Sequence, residues 1–84
     1  ASFTNSTQAY PNPTRGRLSI QIDNMQSEKI SIKVTNILGK EVLNETRNIK
    51  DEVSINIPGK TGIYFLEITD ESGNRYVEKI MKID

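Results

Sequence analysis

Three segments of the chain alternate between aliphatic and polar residues with a period of two. Leu18, Ile20 and Ile22 are interleaved with Ser19, Gln21 and Asp23. Ile30, Ile32 and Val34 are interleaved with Ser31, Lys33 and Thr35, and Val53, Ile55 and Ile57 with Ser54 and Asn56. Such spacing puts the apolar members of each segment on one face of an extended strand and the polar members on the other. Each segment is therefore read as a strand with one face toward a core and one toward water. The residue types agree. Twelve isoleucines stand against four leucines, and side chains branched at Cβ lose rotamer freedom in helices but pack well on pleated surfaces.

Turn chemistry separates these runs at intervals of about ten residues, the spacing of a small all-β sandwich. Residues Asp23 to Ser27 join the first two strands, Gly39-Lys40 leads into a third around Glu41 to Thr46, and Asn48 to Asp51 is a polar connection. Pro58-Gly59-Lys60-Thr61-Gly62 reads as a tight loop, since proline cannot donate to a ladder and glycine permits positive φ. Ser72-Gly73-Asn74 reads as the tip of a hairpin between Ile63–Thr69 and Arg75–Ile83. The run Ile63-Tyr64-Phe65-Leu66 is apolar on both faces, as suits a central strand or one whose outer face is covered. Residues 1–9 are small and polar and are expected to be a linker, with the domain over residues 10–84. The expected fold is all-β, a small immunoglobulin-like antiparallel β-sandwich of about seven strands.

Eighty-four residues make one domain. Lysine and arginine together number eleven, as do aspartate and glutamate, and the charges form no block. A nucleic-acid partner would call for a basic stripe, which is missing. No apolar run approaches the roughly 18 residues of a membrane span, so no transmembrane segment is expected. The amino terminus has no signal-peptide pattern, and export would depend on a longer precursor. The chain has neither cysteine nor histidine. It therefore offers no disulfide, no thiolate ligand or nucleophile, and no imidazole as base or metal ligand.

The remaining chemistry is thin. The acidic pairs Asp51-Glu52 and Asp70-Glu71 could serve glycoside hydrolysis only if held across a cleft, roughly 5–10 Å apart. Both fall in expected turns, where acidic residues are common. Asp70, Glu71 and Asn74 offer oxygen ligands for calcium, without the spacing of an EF-hand loop. Tyr10, Tyr64 and Tyr76 could stack on sugars, although Tyr64 lies in the most apolar strand and is expected in the core. The sequons Asn5-Ser6-Thr7 and Asn44-Glu45-Thr46 carry no functional weight. Nothing assembles a nucleophile, a base and an oxyanion hole, so no enzyme, no metal and no cofactor is expected.

The order of short motifs is more specific. Tyr10-Pro11-Asn12-Pro13 is followed by Gly16 and an alternating strand, then by the run from Ile32 to Val42 that contains Asn36-Ile37-Leu38-Gly39-Lys40. Gly62-Ile63-Tyr64-Phe65-Leu66 and Gly73 come next, and Tyr76-Val77-Glu78-Lys79-Ile80-Met81-Lys82-Ile83 stands at the end. Over about residues 9–84 this resembles the type A carboxy-terminal sorting domain of substrates of the type IX (Por) secretion system of Bacteroidetes. The chain departs from the usual pattern in the loop before Gly62, which lacks a leucine, and in its final acidic Asp84.

The resemblance implies a transport role. Such domains are fused behind cargo enzymes and adhesins that pass the periplasm, and the outer-membrane translocon recognises them. A sortase-like surface protease commonly removes them as the cargo reaches the cell surface or the medium. Candidate translocon-recognition residues are Gly62, Tyr64, Phe65, Leu66, Gly73, Lys79, Ile80, Lys82 and Ile83. Tyr10, Pro11, Asn12 and Pro13 form the opening motif, whose prolines are expected to hold the chain extended. Gly62 is expected to sit where a side chain would clash or force a strained φ, and any cut to fall before Tyr10. The competing reading is a non-catalytic accessory module of a secreted enzyme, binding carbohydrate or acting as a spacer. Its unpaired edges leave monomer and dimer both open.

Overall fold

The alternating segments become strands whose apolar faces meet. The structure is a computed structural model that describes residues 7–22, 29–48, 52–71 and 73–83; for Thr7, Ile22 and Glu52 the description is of the backbone. In chain order the strands are β1 (Thr7–Tyr10), β2 (Arg17–Ile22), β3 (Lys29–Asn36), β4 (Glu41–Asn48), β5 (Glu52–Asn56), β6 (Gly62–Asp70) and β7 (Arg75–Lys82). They form a three-stranded sheet in the order β1-β2-β5 and a four-stranded sheet in the order β4-β3-β6-β7. Every strand pair is antiparallel. This is the seven-stranded sandwich that the periodicity predicts.

The core is the meeting of the two inner faces. Leu18, Ile20, Val53, Ile55 and Ile57 come from the β2–β5 side, and Ile30, Ile32, Val34, Tyr64, Leu66, Ile68 and Ile80 from the other sheet. Fully burying one such aliphatic side chain is worth about 1.5–3 kcal/mol. The two internal strands of the larger sheet are β3 and β6. A central place for the doubly apolar β6 is thereby met, with Ile63 half-buried and Phe65 39% exposed on its outer face.

Two local features were not visible as periodicity. Thr7 to Tyr10, which takes in the last three residues of the stretch read as a linker, pairs with β2 from Thr7–Ile22 to Tyr10–Ser19. An edge strand is held by its backbone, so it needs no alternation of side chains. On β4 the register with β3 shifts between Val34–Leu43 and Thr35–Glu41, leaving Val42 as an extra residue. This bulge lets Val42 and Leu43, which are adjacent in sequence, both pack against the core.

The loops close as their composition predicts at two places. In the β3–β4 turn the Asn36 side-chain oxygen accepts from the N–H groups of Leu38 and Lys40, each at 2.9 Å, and Gly39 has φ +87°. At the β6–β7 tip Gly73 has φ +90°, and its N–H donates to the Asp70 carbonyl at 3.2 Å.

The β5–β6 loop corrects the role expected of Gly62. A Cβ at Gly62 would meet nothing within 4 Å, and its φ lies outside the left-handed region. The conformational demand falls on Gly59, where φ is +102° and a Cβ would stand 2.7 Å from the Tyr64 hydroxyl. Tyr64 is only 6% exposed, and its hydroxyl donates to the Lys60 carbonyl at 2.7 Å. A tyrosine early in a strand, bonded to the backbone a few residues upstream, is the corner device of immunoglobulin-like sandwiches. Gly59 leaves the room that this ring needs.

Gly59→Ala is expected to lower stability by about 1–3 kcal/mol, the cost of a strained backbone position. Gly62→Ala should stay within about 0.5 kcal/mol of the parent, as for an unremarkable surface change. Chemical denaturation of the two variants checks this, and equal losses would refute the assignment. Tyr64→Ala should cost about 3–5 kcal/mol, whereas Tyr64→Phe, which removes only the hydroxyl, should cost about 1 kcal/mol. A melting curve unchanged by Tyr64→Ala would show the ring is not part of the core.

Candidate functional site

Residues 10–14 carry the chain from the edge of one sheet to the edge of the other. The segment bends, rather than running extended as the two prolines predicted, and the Tyr10–Pro11 and Asn12–Pro13 peptide bonds are cis. The sandwich imposes the bend, because β1 ends beside β2 while the next contacts are made with β7. Asn12 makes the first of them. Its Nδ2 donates to the Lys79 carbonyl at 3.0 Å and to Glu78 Oε2 at 3.3 Å, while its Oδ1 accepts from the Met81 N–H at 3.0 Å. One side-chain amide thus supplies the donor and the acceptor that a neighbouring strand would offer.

Thr14 continues the pairing with its backbone. Its N–H donates to the Met81 carbonyl at 2.8 Å, and its carbonyl accepts from the Ile83 N–H at 2.7 Å, forming a parallel bridge opposite Lys82. Thr14 is buried. Its hydroxyl accepts from the Gly16 N–H at 3.1 Å and donates to the Arg17 carbonyl at 2.5 Å. The opening motif and the closing motif, some 70 residues apart in sequence, are therefore one structural unit that covers part of the free edge of β7.

The candidate recognition residues divide by burial. Tyr64, Leu66 and Ile80 are core residues, and Lys82 is only 9% exposed. Lys82 Nζ donates to the Gly59 carbonyl at 2.6 Å, tying β7 to the corner loop. Its stem passes close to Gly16, where a Cβ would stand 3.4 Å from Lys82 Cε. Gly62 is half-buried, and Gly73 is exposed at a hairpin tip. Phe65, Lys79 and Ile83 are the exposed side chains of the set.

Phe65 and Lys79 are directly opposite on the outer face of β6 and β7. One register step away, Glu67 lies between Lys33, at 3.2 Å, and the Arg75 guanidinium. Burial alone would raise the Glu67 carboxyl. The hydrogen bond from Lys33 and the charges of Arg75 and Lys33 outweigh that and hold it below the ordinary range.

The other candidates resolve into structural roles where they are described. Both carboxylate oxygens of Asp70 accept from Asn74, at 2.8 Å from its N–H and 3.0 Å from its side chain. Glu71 Oε1 accepts from the Lys29 N–H at 3.2 Å. These are the bonds of a hairpin end. Of the three tyrosines, Tyr64 is core, Tyr76 is half-buried with its hydroxyl on Glu78, and Tyr10 is exposed. Burial and the Glu78 carboxylate both raise the Tyr76 phenol. Asn44 is exposed on β4 and donates to Glu41 Oε1 at 2.9 Å. Asp51, the Glu52 side chain and the sequon at Asn5 lie outside the description.

Thr14 is the residue that sequence reading missed. The available clue was a threonine two residues before Gly16, the spacing at which a hydroxyl accepts from the backbone N–H of a tight turn.

Asn12→Ala removes the side-chain bonds to β7 and is expected to cost about 1–2 kcal/mol at roughly 1 kcal/mol per exposed bond. Asn12→Asp should cost at least as much at neutral pH, since a carboxylate cannot donate to the Lys79 carbonyl and faces Glu78. That environment raises the folded-state pKa of the new carboxyl, so the deficit relative to the parent should shrink as pH falls through the carboxylate range. Denaturation at pH 7 and pH 4 checks the sign, and a pH-independent deficit would refute the docking geometry.

The comparisons agree with this anatomy. No curated protein sequence matches the chain. The crystal structure of a DUF3244 family protein from Bacteroides vulgatus, with an immunoglobulin-like β-sandwich fold, superposes with a TM-score of 0.81. The match covers 99% of this chain and 90% of that one at 15% identity, which establishes a shared fold. The family model of the secretion system C-terminal sorting domain matches residues 8–83, a span that takes in both paired motifs and nearly all of the sandwich. The chain belongs to that family, the C-terminal sorting domains of the type IX (Por) secretion system.

Proposed function

We propose that this domain is the address by which the type IX translocon carries a protein fused ahead of β1 from the periplasm across the outer membrane, to the cell surface or the medium. The observation that carries the reading is the family match over residues 8–83, which coincides with the folded sandwich. The domain acts as a recognised surface and does no chemistry of its own. A sortase-like protease then removes it. Residues Thr7–Tyr10 are held in a ladder with β2, which shields their backbone from a protease, so the cut falls ahead of β1. Phe65, Lys79 and Ile83 are the exposed side chains among the candidate recognition residues, and they are the side chains that the translocon reads. Tyr64, Leu66, Ile80 and Lys82 act by building the surface.

The test is a fluorescent reporter carrying a periplasmic signal peptide ahead of residues 1–84, expressed in a Bacteroidetes host with and without a working translocon. The reporter should reach the surface or medium only in the host with the translocon. Phe65→Ser with Lys79→Ser should reduce export while leaving the melting curve of the isolated chain within a few degrees. Reporter held in the periplasm of both hosts, with the domain folded, would reject the reading.

A further inference from the structure

A groove of about 400 Å³ lies where the opening motif crosses the outer face of β2. Pro11, Pro13 and Ile83 give it apolar walls, and Arg15, Arg17 and Ser19 line the rest. Arg17 and Ser19 face outward because Leu18 and Ile20, their neighbours on β2, are buried in the core. The two prolines and Ile83 come together only because Asn12 and Thr14 dock on β7. The groove is thus a product of the closed domain.

Its charge sets it apart from the rest of the surface. The chain as a whole is neutral, and the other described arginines are paired, Arg75 (with Lys33) on Glu67 and Arg47 on Glu45. Arg15 and Arg17 make no ion pair or side-chain hydrogen bond with another described residue, and no acidic residue is among the described residues that line the groove. Two guanidinium groups beside an apolar trough suit a ligand that brings carboxylates and aliphatic side chains together. An extended peptide with alternating acidic and apolar residues does so. A sulfated polysaccharide supplies the charge but nothing for the proline walls.

We propose that this groove binds an extended acidic peptide segment of the export machinery. Arg15 and Arg17 receive its carboxylates in charge-assisted hydrogen bonds, and Pro11, Pro13 and Ile83 cover its apolar side chains. The inference rests on the sorting role and names the chemistry of the partner.

Two measurements decide it. The ¹⁵N-labelled 84-residue chain is titrated with N-acetyl-Val-Asp-Val-Asp-Val amide, with the Asn-for-Asp peptide and with dextran sulfate. Saturable amide shifts should appear at Thr14 to Ser19 and at Ile83 with the acidic peptide. They should weaken about tenfold or more in Arg15→Gln/Arg17→Gln, the loss of charge-assisted bonds worth at least about 1.4 kcal/mol. No shifts, equal shifts with the Asn peptide, or shifts with dextran sulfate alone would overturn the proposal. The same double variant is then placed behind the reporter. Export of the parent with a several-fold loss in the variant supports the groove, and equal export of both overturns it. Failure of the parent itself to be exported rejects the sorting role instead, and the titration then decides the groove by itself. An unchanged melting curve of the variant excludes misfolding as the cause.

Discussion

The chain has no cysteine, so no disulfide ties the two sheets together, and cohesion rests on the apolar side chains between them and on how well the sheet edges are satisfied. The first requirement is met by the period-two pattern of β2, β3, β5 and β6. The second is harder for a short chain, because an edge strand presents unpaired N–H and C=O groups along its length. At β7 the problem is met by Asn12, whose amide takes the place of a peptide group, and by Thr14, which adds a parallel bridge. The corner at Tyr64 and the Lys82 bond to Gly59 fix the same region from the inside.

This arrangement gives a physical account of why the motifs at the two ends of the domain occur together. The Tyr10–Pro13 motif and the Lys79–Ile83 motif are a matched donor and acceptor set. Of the candidate recognition residues, Tyr64, Leu66 and Ile80 face inward and define the sandwich, while Phe65, Lys79 and Ile83 remain at its surface. A family pattern drawn from this sequence therefore mixes residues that shape the domain with residues available to a partner. Burial separates the two groups where sequence could not.

The strands, their order along the chain and the core were legible because alternation of large aliphatic residues is a strong and local signal. Tyr64 could be placed inside for the same reason. What sequence reading missed depends on contacts between distant residues. β1 shows no alternation because its backbone, rather than its side chains, holds it to β2. The bulge at Val42 blurs the period of β4. Gly62 and Gly59 sit three residues apart in one loop, and only the position of the Tyr64 ring decides which of them cannot carry a side chain. Lys82 reads as a surface cation until its stem is seen to pass against Gly16 and its Nζ to donate to the Gly59 carbonyl.

The pairing of residues 12–14 with residues 79–83 also has a consequence in time. A ribosome delivers the first of these segments long before the second, so the β7 edge cannot be closed until the last strand has emerged. Any product cut short before β7 leaves Asn12 and Thr14 without their partners and Gly59 without Lys82. If the completed sandwich is what the exporter accepts, the address becomes readable only on chains translated through to their final strand. Translation through β7 is then verified by the fold itself.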